Sequence, residues 1–187
     1  MRTLLNTLIL PALAIATLLA APQPVLADDG LNATLATLNQ SLGEVESLSD
    51  YGGGFSSYYK KKYVFEAHEG FLIIGEAYVG ENRDNEGVNM QWDGRYVYRI
   101  EPAKVTLGAP DYANEFFEIQ CPGRAQCIEY RSIDASTWSR GQSKSRPLTT
   151  GGLMNSIKIQ AGKDNKRLKS AHAYLSHVLG QMRTLVQ

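Results

Sequence analysis

The residues with the clearest chemical potential are lysines interleaved with tyrosines. Lys60, Lys61 and Lys62 form a continuous basic run, which Tyr59 precedes and Tyr63 follows. Ammonium groups beside aromatic rings can bind acidic or phosphate-rich polymers. The same alternation is typical of a half-buried edge strand with its tyrosines inward and its lysines outward, where lysine also opposes aggregation. Both interpretations stay open, and all five residues are binding candidates.

A second basic segment lies between residues 134 and 153, where the chain is rich in Ser, Thr, Gly and Arg. Because the segment has no periodic apolar residues, we expect a long surface loop. Arg140, Lys144 and Arg146 concentrate positive charge in it. These three residues are the binding candidates to be tested first.

The distribution of charge along the chain is uneven although its formal net charge is zero. Residues 28–120 contain 7 basic and 16 acidic side chains, whereas residues 121–187 contain 11 basic and 3 acidic ones. Such asymmetry can mark a surface for an anionic partner. The alternative is that the acidic and basic segments lie side by side in the fold and cancel.

The chain has two cysteines, Cys121 and Cys127, separated by five residues that begin with Pro-Gly. A tight turn there would bring the two side chains together. Metal sites usually need more ligands nearby, and redox pairs usually have a two-residue spacer. We therefore predict a structural disulfide, which would contribute on the order of 2 kcal/mol through loop closure.

Catalytic groups do not converge in the sequence. Glu66, His68 and Glu69 could supply a base or a ligand, but no other reactive residue adjoins them. His172 and His177 are five positions apart, so on a helix they diverge rather than share a metal. The chain also lacks a Gly-x-Ser-x-Gly motif and a phosphate-binding loop. We expect no metal and no cofactor, and a role for Glu66, His68 and Glu69 stays open.

The N-terminus has the pattern of a secretory signal. Arg2 precedes an uncharged apolar stretch over residues 4–21, and Val25-Leu26-Ala27 places small or aliphatic residues at a cleavage site. An uncleaved anchor is the alternative, because the stretch is near the minimum of about 17 residues for spanning a membrane. We expect residues 1–27 to be removed near Ala27, which makes the protein periplasmic or secreted. Membrane contact is then limited to export.

Residues 28–50 are predicted to form an amphipathic helix. Its apolar side chains recur at steps of three and four, at Leu31, Leu35, Leu38, Leu42, Val45 and Leu48. Three glycines at 52–54 then end the helix.

The pattern after residue 51 changes to alternation of apolar and polar side chains, which indicates strands. Asp93-Gly94 between two alternating runs predicts a hairpin. A second hairpin is predicted around Pro122-Gly123, and residues 156–161 form a further short run.

The last element is a predicted C-terminal helix that Asp164 or Asn165 can cap. Its apolar stripe is wide enough to cover one face of a sheet. Residues 51–187 are therefore predicted to form a single domain. The predicted class is α+β, with an N-terminal helix, an antiparallel sheet or partly closed barrel of six to seven strands, and a C-terminal covering helix.

Export together with the lack of a catalytic constellation favours binding over catalysis. The most concrete hypothesis is a periplasmic protein-interaction module, such as an inhibitor or immunity factor, with a protein partner and no nucleic acid. Two alternatives stay open. One is a carrier of a lipid or small anionic ligand in the mouth of a curved sheet, and the other is a cell-envelope hydrolase that uses Glu66, His68 or Glu69.

Overall fold

The computed structural model describes residues 29–142 and 150–185, so the predicted signal sequence, Lys144 and Arg146 lie outside the described residues. The elements are α1 (Asp29–Leu42), β1 (Glu44–Gly52), β2 (Phe55–His68), β3 (Phe71–Asp84), β4 (Gly87–Ile100), β5 (Thr106–Leu107), β6 (Phe116–Gln120), β7 (Ile128–Ser139), β8 (Gly151–Met154), β9 (Ser156–Gln160) and α2 (Asn165–Leu185). This order confirms the predicted α+β class. Within the described ranges, neither helix is long and apolar enough to cross a membrane.

The strands form two antiparallel sheets. Six strands follow the order β1-β2-β3-β4-β7-β8, and three follow the order β5-β6-β9. The larger sheet ends in two edge strands, β1 and β8, so over the described residues it is open rather than closed into a barrel. The larger sheet has six strands, in line with the predicted six to seven. The described residues form nine strands in all, because β1, β5 and β8 come from segments that the sequence did not mark as strands.

The first helix is shorter than predicted. It ends at Leu42, and Gly43 adopts the left-handed region with φ of +43°, as glycine commonly does just after a helix. Val45 and Leu48 continue the helical spacing, but they belong to β1, where Val45 is buried and Leu48 is 62% exposed. Pairing with β2 decides the conformation here, because Lys60 forms ion pairs with Glu44 and Glu46 across the two strands.

One helix side chain replaces strand pairing along the edge of β2. Where β1 no longer pairs with β2, the Asn39 side chain of α1 takes its place. It accepts a hydrogen bond from the Phe65 N–H at 2.7 Å and donates one to the Phe65 carbonyl at 2.9 Å. The Tyr63 N–H donates to the Gly43 carbonyl. Backbone groups that would otherwise be buried without partners are thus satisfied, and α1 is attached to the sheet.

The hairpin predicted at Asp93-Gly94 is wrong. β4 continues through both residues, and the chain turns instead between Asp84 and Gly87. Gly94 does not form a turn. It lets the Tyr78 side chain lie close to the backbone, because a Cβ atom at this position would be 2.7 Å from the Tyr78 hydroxyl oxygen. Its strand partner is that same Tyr78.

The hairpin predicted around Pro122-Gly123 is also wrong. β6 pairs with β5 and β9, whereas β7 pairs with β4 and β8, so the segment between them passes from one sheet to the other. The predicted disulfide between Cys121 and Cys127 is confirmed, with their Cα atoms 5.8 Å apart. The bridge therefore closes the crossing between the two sheets rather than the end of a hairpin.

The polar segment over residues 134–153 is only partly a loop. Residues 134–139 belong to β7, and residues 151–153 belong to β8. Pairing with the long strand β4 imposes the extended conformation, although the side chains lack an apolar pattern. Residues 143–149 lie outside the described part of the chain.

The core lies between the helices and one face of the sheets, here called the inner face. The predicted stripe of α2 is buried at Leu168, Ala171, Leu175, Val178, Leu179 and Met182. The predicted cap is confirmed, since the Asp164 carboxylate accepts hydrogen bonds from the N–H groups of Arg167 and Lys166. These bonds lower the pKa of Asp164.

Each of the strands β2, β3 and β4 has fourteen residues, which is longer than the core needs. Their buried hydrophobic side chains lie at one end, at Tyr63, Phe65, Leu72, Ile74, Tyr98 and Ile100. The other end of these three strands, together with β1 and the end of β7, is here called the distal sheet. It consists of β1 and residues 55–61, 77–95 and 136–139. It carries the candidate site described below.

We predict that Asn39→Ala lowers the free energy of unfolding by about 1–3 kcal/mol, because it leaves the backbone groups of Phe65 without partners. Urea denaturation at neutral pH measures the change. Gln40→Ala is the matched control: Gln40 is exposed on the same helix, and its substitution should change stability by less than about 0.5 kcal/mol. Equal effects of the two variants would contradict the assigned role of Asn39.

Candidate functional site

A row of five side chains crosses the distal sheet on the face opposite the helices. Strand pairing joins Leu48 to Tyr58, Tyr58 to Glu81, Glu81 to Gln91, and Gln91 to Trp138. Directly paired residues point to the same face of a sheet. These five residues, here called the outer row, therefore lie side by side across β1, β2, β3, β4 and β7.

Two adjoining depressions on this face form an open trough, here called the outer trough. One has a volume of about 470 Å³ and is bounded by the strand positions Gly80 and Trp92 and by the outer-face residues Tyr58, Val79, Glu81, Gln91, Asp93 and Trp138. The other has a volume of about 430 Å³ and is lined by Leu48, Ser56, Tyr58, Glu81 and Arg83. Tyr58 and Glu81 line both, so the two depressions are continuous.

Polar groups form the floor of the trough. The Glu81 carboxylate accepts a hydrogen bond from Arg83 Nε at 2.6 Å and a longer one from Gln91 Nε2 at 3.4 Å. The Asp93 carboxylate accepts a hydrogen bond from the Ser136 hydroxyl. The carboxylates are thus held by neighbouring side chains, while Gln91 and Arg83 remain exposed.

Aromatic side chains stand on either side of this floor. Tyr58 lies on β2 and Trp138 on β7, with Glu81 and Gln91 between them. Three strand spacings separate the two aromatic positions, or about 14 Å. Leu48 lies beyond Tyr58 on β1 and is 62% exposed, and Val79 lies two residues before Glu81 on β3 and is 45% exposed. The trough therefore alternates apolar walls with a hydrogen-bonding centre.

The inner face of the distal sheet is covered by its own aromatic rings. The Trp92 indole lies over Gly80, where a Cβ atom would come within 2.5 Å of the ring. The rings of Tyr78 and Tyr96 stack with their centroids 5.3 Å apart. Burial and a hydrogen bond with Tyr96 raise the pKa of Tyr78 to about 12. These contacts stabilise the distal sheet where the helices do not reach it.

A buried carboxylate marks the boundary between core and distal sheet. Glu76 is 5% exposed. It accepts a hydrogen bond from the Tyr98 hydroxyl at 3.0 Å and forms an ion pair with Lys61 at 2.8 Å. Burial together with the Glu76 charge raises the pKa of Tyr98. Because both carboxylate oxygens have partners, the arrangement suits structural stabilisation.

The structure divides the predicted lysine and tyrosine candidates between two faces. Tyr59, Lys61 and Tyr63 lie on the inner face, and Lys60 and Lys62 lie on the outer face. Hydrogen bonds to Glu44 and Glu46 raise the pKa of Lys60. Buried Tyr63 accepts a hydrogen bond from the Gln160 N–H.

The inward tyrosines and outward lysines match the half-buried strand interpretation except at Lys61, but β2 is not an edge strand here, because β1 pairs with residues 55–62. The place of Lys61 among the inward side chains is explained by its ion pair with buried Glu76. A binding role for the five residues stays a prediction.

Arg140 is held at the distal end of the sheet. Its guanidinium contacts Asp84 at 2.9 Å and Glu86 at 2.6 Å, and it donates to the carbonyls of Gly87 and Val88 at 3.1 Å. The hydrogen bond from Arg140 is the main reason that the pKa of Asp84 is lowered. These contacts join the end of β7 to the turn between β3 and β4.

The acid and base candidates do not form a recessed site. Glu66, His68 and Glu69 are exposed near the turn between β2 and β3, and the His68 ring lies 3.7 Å from the Glu69 carboxylate. His172 contacts the Gly108 carbonyl, and His177 is exposed. Within residues 29–142 and 150–185, no three His, Cys, Asp or Glu side chains are grouped to hold a metal ion.

Sequence reasoning did not identify the outer row. Its five members come from five different strands, and their register depends on tertiary pairing. One signal was available: Trp138 is a large aromatic residue in an otherwise polar segment, which is unusual for a loop.

Comparisons with protein family models, curated proteins and solved structures found no match.

We predict that Lys61→Met destabilises the protein by about 2–3 kcal/mol, because it leaves the buried Glu76 charge without its cation. The value is below that for a fully buried pair, since the Lys61 side chain is 26% exposed. Lys62→Met, on the exposed face of the same strand, is the matched control and should have little effect. Urea denaturation measures the stability of both variants. Similar urea midpoints for the two would argue against a structural role for Lys61.

Proposed function

We propose that this chain is an exported binding protein and that the outer trough is its recognition surface. The observation that carries the proposal is the outer row, which places the partly exposed side chains of Tyr58 and Trp138 on the sheet face opposite α1 and α2. Tyrosine and tryptophan supply much of the binding energy at recognition surfaces, because they combine large contact area with few rotatable bonds.

Export is supported by two features. The N-terminal pattern over residues 1–27 predicts a cleaved signal. The disulfide between Cys121 and Cys127 is typical of proteins that work in oxidising compartments. A periplasmic or secreted location follows from both as part of the proposal.

The satisfied carboxylates favour binding over catalysis. Glu76 and Glu81 are each held by two side chains of the protein itself. Glu66, His68 and Glu69 are exposed at a turn, whereas catalytic groups usually lie in clefts that exclude water. A cell-envelope hydrolase is therefore the less supported alternative.

The openness of the trough favours a macromolecular target. Pockets for small ligands usually bury most of the ligand surface, and the outer trough is open along the sheet. The version of this proposal that follows from the sequence analysis has a protein as its target, as for an inhibitor or immunity factor. In that version the basic segment with Arg140, Lys144 and Arg146 would be a second contact.

The proposal predicts that Tyr58→Ala and Trp138→Ala each weaken capture of the target from envelope extract by at least about tenfold, which corresponds to about 1.4 kcal/mol. Tagged, disulfide-intact protein is immobilised, and bound material is quantified. Tyr112→Ala is the matched control, because Tyr112 is 46% exposed in the loop before β6.

A further variant, Lys144→Glu with Arg146→Glu, tests the basic segment separately. Loss of capture in this variant alone would move the recognition surface to that segment. Capture that persists in every variant would refute the outer trough as the binding surface.

A further inference from the structure

We infer that the outer trough binds a neutral glycan chain, which lies across the strands from β2 to β7. This inference rests on the proposed function for the place of binding and adds the chemical class of the ligand. From β2 to β7, the side chains of the outer row are an aromatic ring, a carboxylate, an amide and an aromatic ring.

The polar groups of the trough floor already have partners within the protein. Glu81 is paired with Arg83 and bonded to Gln91, and Asp93 is bonded to Ser136. A strongly charged ligand would meet fixed charges of both signs and would have to displace these contacts. A neutral ligand rich in hydroxyl groups can instead add hydrogen bonds to them, because carboxylate, amide, guanidinium and hydroxyl groups offer both donors and acceptors.

The aromatic walls suit the apolar faces of sugar rings. The face of an aromatic ring is negative and attracts weakly positive hydrogens. A pyranose ring presents C–H groups on its faces and hydroxyls around its edge, so it can stack on an aromatic ring while its hydroxyls bond to neighbouring polar side chains. Tyr58 and Trp138 supply the stacking surfaces, and Glu81 and Gln91 supply polar groups between them.

The spacing of these groups sets the length of the ligand. The aromatic positions are about 14 Å apart by strand spacing, a span of about three linked sugar rings. A single sugar can contact one wall, whereas an oligosaccharide can contact both walls and the floor. Affinity should therefore rise steeply from monosaccharide to tetrasaccharide.

The layout differs from that of a protein-binding surface. Protein interfaces usually have an apolar centre and a polar rim, and each partner buries about 800 Å². Here Glu81 and Gln91 occupy the centre of the outer row, and the aromatic side chains of Tyr58 and Trp138 flank them. A lipid is disfavoured for a related reason, because an acyl chain needs an enclosed apolar cavity.

Glycan binding is tested by titrating the disulfide-intact protein with neutral tetrasaccharides. These are tetrasaccharides of hexose and of N-acetylhexosamine, in β-1,4, β-1,3 and α-1,4 linkages. Trp138 reports binding through its fluorescence, and Trp92 on the inner face is the only other tryptophan. Calorimetry provides a readout that does not depend on fluorescence. The matching monosaccharides and an acidic tetrasaccharide, tetragalacturonate, are the comparison ligands.

We expect at least one neutral tetrasaccharide to bind at least about tenfold more tightly than its monosaccharide and than tetragalacturonate. Tyr58→Ala and Trp138→Ala should each weaken this binding about tenfold. Trp138→Tyr, which keeps an aromatic face, should weaken it less than Trp138→Ala, and Tyr112→Ala should retain it. Because the ligand is neutral, affinity should change less than about twofold between about 50 and 500 mM NaCl. Circular dichroism and urea midpoints verify that the variants are folded.

The outcomes separate the two proposals. If no neutral tetrasaccharide binds but a protein is captured through Tyr58 and Trp138, the glycan inference fails and the proposed function stands. If tetragalacturonate binds best, or if glycan binding is unchanged in both alanine variants, the inference is refuted. If neither glycan nor extract component depends on the trough, both proposals fail.

Discussion

Glu76 determines how one sheet can run from the protein core into solvent. Its carboxylate is buried where the last core side chains of β2, β3 and β4 end, and a buried charge is tolerated only when it is paired. Lys61 on β2 and Tyr98 on β4 satisfy both of its oxygens. These contacts link three strands in a single register, and a one-residue slip would separate all three groups. The distal sheet depends on that register.

Beyond Glu76, the sheet is stabilised by contacts between aromatic rings and glycines rather than by helices. Trp92 covers Gly80, and Tyr78 covers Gly94, on the inner face. Both glycines face rings across adjacent strands, so the two faces of the distal sheet differ in role. The inner face packs on itself, and the outer face is left to present its side chains.

The proposed recognition surface lies on paired strands rather than on loops. Side chains on strands are held more precisely than side chains on loops, so less conformational freedom is lost when a ligand is bound. Tyr58 and Trp138 are kept apart by β3 and β4, and Arg140 fastens the end of β7 to the turn that joins those two strands. The proposed glycan site would thus be formed before its ligand arrives.

Local features could be predicted from the amino-acid sequence: the α+β class, the stripe and cap of α2, and the disulfide between Cys121 and Cys127. Each follows from residues that are close along the chain. Pairing between distant strands places Val45 in β1, carries β4 through Asp93-Gly94 and sets Trp138 beside Gln91. Periodicity indicates which side chains share a face of one element, whereas register between strands is set by contacts between residues far apart in sequence. The outer row, and with it the candidate site, exists only through that register.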